Sequence, residues 1–378
     1  MSTFSDTLLS WYDVHGRDLP WRHTDDPYAI WLSEIILQQT RIAQGQAYWE
    51  RFLATFPDVE SLAAASEDEV LRLWQGLGYY SRARNLHAAA RQIVAAGRFP
   101  DTLEGIRALK GVGDYTAAAI ASFAFGIPAA VVDGNVYRVL ARHFGIATPV
   151  GTTAARKEFS SLAQSLLPPE RPGDFNQAMM DFGATRCTPA SPACLLCPFA
   201  ESCIALATGQ VDRLPVREKA AAVQERRFNY VYLRFQGRTA IRRRGTGDIW
   251  QGLWEPLVAD QRLPGTTLLR SGVKHQLTHR TLVVDFYLWE PAEEPALPEG
   301  YRWVEEAELD RYAKPRLFEL LLEELPRYSA RPSSSGSGRK GRPARDHASR
   351  SRWSGPGVPA TQRAGGGSPA WWRNPGCR

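Results

Sequence analysis

The sequence predicts a mostly α-helical N-terminal domain over residues 1–207, a charged linker over 208–227, an α+β domain over 228–330 and a disordered basic tail over 331–378. Three observations lead to that division. Between residues 50 and 100, apolar positions recur at helical spacing, with Leu53, Phe56, Leu62, Val70, Leu73 and Trp74 as packing residues. Beyond the linker the period changes, and Phe228–Phe235, Arg238–Arg243 and Leu282–Trp289 alternate as strands do. Of the last 48 residues, 23 are Gly, Ser or Pro, too little apolar material for a core.

Charge follows the same division. The formal net charge of +6 looks like a nucleic-acid signal, but residues 1–210 carry 17 Lys/Arg against 21 Asp/Glu, residues 211–330 carry 19 against 18, and residues 331–378 carry 10 against 1. A DNA surface on the folded part must therefore be a local patch rather than a global field. With 378 residues, 44% of them hydrophobic, two cores are expected. The start has no basic region followed by an apolar core, and no apolar run is long enough for a membrane span. A cytoplasmic monomer with no membrane partner is the expectation.

Taken in order, Phe4–His15 predicts a first helix and Asp18-Leu-Pro-Trp-Arg22 a loop with an aromatic anchor. Asp26 caps a second helix that opens on Pro27, where a helix tolerates proline, and runs to about Tyr48. On it, Glu34 has Ile30 and Trp31 one turn back and Ile35 and Leu37 beside it. Such an apolar wall raises a carboxyl pKa and lets it hold a proton near neutrality, as a general acid requires. The plainer alternative is a half-exposed acid on a helix edge. Next, Trp74-Gln-Gly-Leu-Gly-Tyr79-Tyr80-Ser-Arg82-Ala-Arg84 combines a glycine turn, two tyrosines and two arginines. Opening a duplex needs a side chain that fills the vacated stack and cations that neutralise the backbone around it.

The central stretch is Asp101 to Phe144, around Leu109-Lys-Gly-Val-Gly-Asp-Tyr-Thr116. Asp101 or Thr102 can cap a short helix, Gly111 and Gly113 can take backbone angles closed to other residues, and an alanine-rich helix follows up to Gly126. The two glycines leave N–H groups unshielded where a DNA phosphate can be held by peptide donors and the helix dipole; glycine pairs between helices also serve as plain turns. In Ala130-Val-Val-Asp133-Gly-Asn-Val-Tyr-Arg138, an acid stands in a hydrophobic setting just ahead of a new helix, where it can cap that helix.

Cys187, Cys194, Cys197 and Cys203 form C-x6-C-x2-C-x5-C, four of the five cysteines within 17 residues. Four clustered thiolates ligate zinc or a [4Fe-4S] cluster, and spacing alone does not choose between them. In the C-terminal domain, Trp303-Val304 predicts a short edge and Leu309–Leu325 a final amphipathic helix. Lys274-His275-Gln-Leu277-Thr278-His279 falls at an expected loop-to-strand entry.

These motifs, in this order over roughly residues 5–325, resemble the helix-hairpin-helix DNA glycosylases and, within them, the adenine-specific MutY family. The resemblance implies a mostly α helix-hairpin-helix glycosylase domain with a [4Fe-4S] cluster loop on the four cysteines, plus an α+β Nudix-like C-terminal domain. Ser33-Glu34-Ile-Ile-Leu-Gln-Gln-Thr40 matches the motif whose glutamate protonates the adenine ring. Asp133 then stabilises positive charge at C1' as the base leaves, with Asn135 orienting it. Tyr115 stands where bifunctional relatives carry a lysine nucleophile, which implies a monofunctional hydrolase. Tyr80 is the expected wedge and Gln39 a second intruder. Arg82, Lys110 and the Gly111 and Gly113 backbone would meet phosphate.

His275 and Thr278 correspond to the loop that reads 8-oxoguanine, with Leu277 in place of an aromatic residue and Thr278 in place of serine. The R-E-x-x-E-E core of active Nudix hydrolases is missing after Gly252, so nucleotide hydrolysis is not expected. The implied partner is duplex DNA with adenine opposite 8-oxoguanine or guanine. Two alternatives remain in view. Tyr115 and the additional domain argue against a pyrimidine glycosylase-lyase of the same fold. A noncatalytic DNA-binding protein would leave Glu34 a solvated acid and Asp133 a helix cap.

Overall fold

The computed structural model describes residues 3–218, 224–277 and 280–326. Thr278, His279 and the tail lie outside the described residues. The N-terminal domain is built from α1 (Phe4–His15), α2 (Pro27–Leu37), α3 (Ile42–Thr55), α4 (Val59–Ala64), α5 (Glu67–Leu73), α6 (Ser81–Ala96), α7 (Leu103–Arg107), α8 (Asp114–Phe125), α9 (Gly134–Phe144), α10 (Thr153–Leu166), α11 (Pro172–Thr185) and α12 (Ile204–Ala207). Side-chain caps open most of the early ones: Thr3, Asp26, Asp58, Ser66 and Thr102 each accept a bond from a backbone N–H of the first turn. A cap of this kind stabilises a helix by about 1 kcal/mol.

Two large cores take up most of these helices. One gathers Trp31, Phe52, Trp74, Leu86 and Ile120 from α2 through α8. The other gathers Leu8, Val139, Phe159 and Phe182 from α1 and α9 through α11. The chain passes from the first to the second between α8 and α9, and Asp133 lies on that crossing. Helix α2 is buried on every side from Tyr28 to Ile36 because α3 and α8 cover it. Glu34 is thereby drawn into the protein on a helix with no solvent face.

The expected helix from Pro27 to Tyr48 is two. Helix α2 stops at Leu37, Gln39 takes φ 58°, and α3 restarts at Ile42. The carbonyl groups freed at the end of α2 accept from Arg82, a residue far along the chain. Periodicity cannot register a break whose hydrogen-bond partners are that remote.

The C-terminal domain is β-rich. It comprises β1 (Gln224–Phe235), β2 (Arg238–Arg243), β3 (Trp254–Glu255), β4 (Leu257–Ala259), β5 (Thr267–Gln276), β6 (Arg280–Trp289), β7 (Tyr301–Glu305) and α13 (Arg316–Glu323). The order runs β3-β2-β1-β6-β5, with β4 also on β1 and β7 also on β2. The central pair β1 and β6 is parallel, and every other pair is antiparallel. Leu317, Phe318 and Leu321 of α13 close the core over Tyr232 and Phe286. The expected final helix from Leu309 is likewise broken, with α13 starting only after Pro315, whose ring ends any helix before it.

This domain sits on α5 and α6. Arg243 pairs with Glu67 at 2.9 Å and Asp68 at 3.2 Å, Arg84 donates to the Gln251 carbonyl, and Gln75 accepts from the Lys314 N–H at 3.2 Å. Leu253 and Ala313 complete the first N-terminal core. The iron–sulfur part of the expected fold is corrected, because no three or more His, Cys, Asp or Glu side chains come together to hold a metal ion among the described residues.

Candidate active site

Glu34 on α2 and Asp133 at the start of α9 lie close enough for the charge of Asp133 to act on Glu34. Burial raises the Glu34 carboxyl to about 7, with Arg22 pulling it down and Asp133 pushing it up. A carboxyl in that range can hold a proton near neutrality, as an acid catalyst there requires. Arg22 is itself held by Asp181, which is wholly buried and also takes Arg17. Nothing in the sequence links Arg22 to Asp181, which lies on α11.

Asp133 is the N-cap of α9, its Oδ1 accepting the Val136 N–H at 2.8 Å. Its Oδ2 accepts from Asn135 Nδ2 at 2.9 Å, and the Asn135 Oδ1 accepts from Arg138 at 2.7 Å. Burial raises the Asp133 pKa, while these donors and the Arg138 charge oppose the rise. The helix N-terminus adds its own preference for the anion. Tyr115 completes the group: its phenol is raised well above the usual value by burial and then by Glu34 and Asp133, and its hydroxyl lies 3.5 Å from Met180 Sδ. A tyrosine so protected stays neutral and offers no nucleophile.

The hairpin places its two glycines in different states. Gly111 takes φ 78°, and a Cβ there would meet Asn85 Cβ at 2.5 Å, so glycine is required. Gly113 is an extended cap of α8 at φ −97°, an angle open to any residue, which corrects the expectation for it. A Cβ at Gly113 would meet nothing within 4 Å, so its side is clear for an approaching group. Lys110 beside them is exposed.

The neighbouring loops change two expectations. Tyr80 is packed in the first core and 7% exposed, whereas Tyr79 is 47% exposed at φ 46°. Tyr80 is held in that core, and of the two tyrosines it is Tyr79 that stands at the surface. Only burial distinguishes two adjacent tyrosines, and burial has no signature in so short a run. Arg82 is also buried, its guanidinium turned to main-chain carbonyl groups, so it is no phosphate contact. Gln39 is exposed on the loop after α2. In the C-terminal domain His275 lies on β5 with its ring 5.7 Å from Trp250, and burial lowers its pKa. Leu277 packs against the sheet core.

The [4Fe-4S] expectation fails at Cys187, Cys194, Cys197 and Cys203. The four line one cavity with Arg142, yet they do not form a ligand set among the described residues. Arg142 contacts two of them: its Nη1 donates to Cys187 Sγ and its carbonyl accepts from Cys203 Sγ, each at 3.5 Å. Burial pushes the Cys197 thiol up to about 11 and raises Cys194.

Residues 32–165 match the family model of the HhH-GPD superfamily base excision DNA repair proteins, and residues 229–324 match the NUDIX domain. That sets the class. The adenine DNA glycosylase of Homo sapiens is 44% identical over 241 residues, covering 58% of this chain and 44% of that protein. Those of two Buchnera aphidicola strains are 34% identical, covering 66% of this chain and 73% of theirs, and 30% identical, covering 75% and 84%. A solved thermostable thymine-DNA glycosylase is 34% identical with a TM-score of 0.51, covering 54% of this chain and 95% of its own. The chain belongs to the adenine DNA glycosylase family. It spans under half the length of the mammalian relatives it matches.

Proposed function

We propose that this protein hydrolyses the N-glycosidic bond of adenine mispaired with 8-oxoguanine or guanine in duplex DNA, as a monofunctional glycosylase of base excision repair. The observation that carries the reading is the grouping of Glu34, raised to about 7, with the donor-held Asp133 and the neutral Tyr115. Two carboxyl groups whose surroundings separate their protonation divide acid and anion roles between them. The adenine follows from the family, whose members named above are adenine DNA glycosylases.

The adenine flips out of the stack, and Tyr79 and Gln39 fill the space it leaves. Glu34 gives its proton to N7 of adenine, so that the electrons of the C1'–N9 bond leave with a neutral base. Asp133 stabilises the sugar cation at C1', and water attacks there, losing its proton to the now ionised Glu34. Tyr115 shields the site without forming a Schiff base, so the strand stays intact at the abasic sugar. Backbone N–H groups beside Gly113 and the Lys110 ammonium hold phosphate. His275 reads the base opposite, from the domain that packs on α5 and α6.

The test is single-turnover incubation with a duplex holding adenine opposite 8-oxoguanine. Free adenine with an unbroken strand before alkali is the expected outcome. Strand cleavage without alkali would favour the lyase, and tight binding without release would favour a noncatalytic binding protein.

A further inference from the structure

Two loops of the N-terminal domain each hold a bulky exposed residue at positive φ, Gln39 at 58° and Tyr79 at 46°. An exposed side chain gains little packing to offset such a backbone, so each loop must be held from beneath. One side chain lies under both. Arg82, 6% exposed, donates through Nη1 to the Ile35 and Ile36 carbonyls at 3.0 Å each, to the Gln38 carbonyl, and to Thr40 Oγ1 at 3.5 Å. Through Nη2 it donates to the Leu77 carbonyl at 3.2 Å and the Gly78 carbonyl at 3.3 Å. Its Cζ also lies 4.9 Å from the Trp74 ring and 5.7 Å from the Tyr79 ring.

We infer that Arg82 is a positioning residue that couples the loop of Gln39 to the loop of Tyr79, so that both side chains enter the opened duplex as one unit. The inference rests on the adenine-excision reading above. Its physical basis is the guanidinium fork. One terminal nitrogen serves the end of α2 while the other serves the turn before α6, and the plane between them fixes their separation. A lysine has a single nitrogen and cannot span both loops. Because the Ile35, Ile36 and Leu77 bonds are buried, losing their donor leaves carbonyls without water on both sides, so the two loops relax together.

The test uses the full chain and R82K, which keeps the charge and removes the fork. Amide hydrogen exchange should quicken in both segments, 38–41 and 76–80. Single-turnover adenine release should fall about tenfold in R82K, but by less than about twofold when the same change is made in a Q39A/Y79A background. Equal losses in both backgrounds, or faster exchange in one segment alone, would overturn the coupling. Should R82K fail to fold, Q39A and Y79A in the unaltered chain carry the test. Their combined rate loss should then be smaller than the product of the single losses, and simple multiplication would contradict the inference. Absence of release by the wild-type chain would instead sink the functional reading, and the exchange result would then decide the coupling alone.

Discussion

Glu34 is a buried carboxyl group and Asp133 a partly buried one, and they differ in what faces them. Burial is the chief cause of the rise at each. At Glu34 the main opposition is the charge of Arg22, and the carboxyl reaches about 7. At Asp133 a backbone N–H, the Asn135 amide and the Arg138 charge all oppose the rise. Burial alone therefore does not set the ionisation of either acid. Donors aimed at the Asp133 oxygens favour its charged form against the effect of burial.

Changing the two acids separately sharpens that contrast. Glu34→Gln removes the transferable proton and should lower single-turnover adenine release by at least about 100-fold, while affinity for the mispaired duplex stays within severalfold in a gel-shift titration. Asp133→Asn keeps a side chain that can cap α9 but removes the charge, and should cost about 100-fold in the same assay. Similar losses from both with no separation in their pH behaviour would break the comparison.

Stability gives an independent view of Glu34. Its folded pKa lies above the unfolded value of 4.5, so its contribution is fully present below about pH 4.5 and is lost as pH rises towards about 7. Glu34→Gln should therefore be more stable than wild type at pH 8, by on the order of 3 kcal/mol, with the difference shrinking by pH 5 in denaturant titrations. A constant difference across that range would place the carboxyl in water.

Gly111 and Gly113 repeat the contrast on a smaller scale, as like residues separated by their surroundings. Gly111→Ala should cost about 1–3 kcal/mol by thermal melting, since φ is positive and Asn85 lies in the way. Gly113→Ala should change stability by less than about 0.5 kcal/mol and show its effect in DNA affinity instead.

Much of the fold was legible because it is locally encoded. The first helix, the Thr102 and Asp133 caps, and the strands β2 and β6 all carry their signals within a few residues. Strand β5 carries no such signal, because Val273 is its one buried position and no apolar alternation marks it. The break after α2, the burial of Tyr80 and the inward turn of Arg82 share another cause. Each depends on a partner distant in sequence, and residue type alone does not tell a buried arginine from one that meets phosphate. The cysteines teach the same lesson in reverse, since close spacing did not make them a ligand set among the described residues.

The acid role of Glu34 is tested most directly by the pH–rate profile. Single-turnover adenine release by wild type should be high below pH 7 and fall as pH rises through about 7, because only the protonated carboxyl can supply the proton. A wild-type rate that stays flat from pH 6 to pH 8.5, or a Glu34→Gln chain that retains the same pH-dependent release, would contradict it.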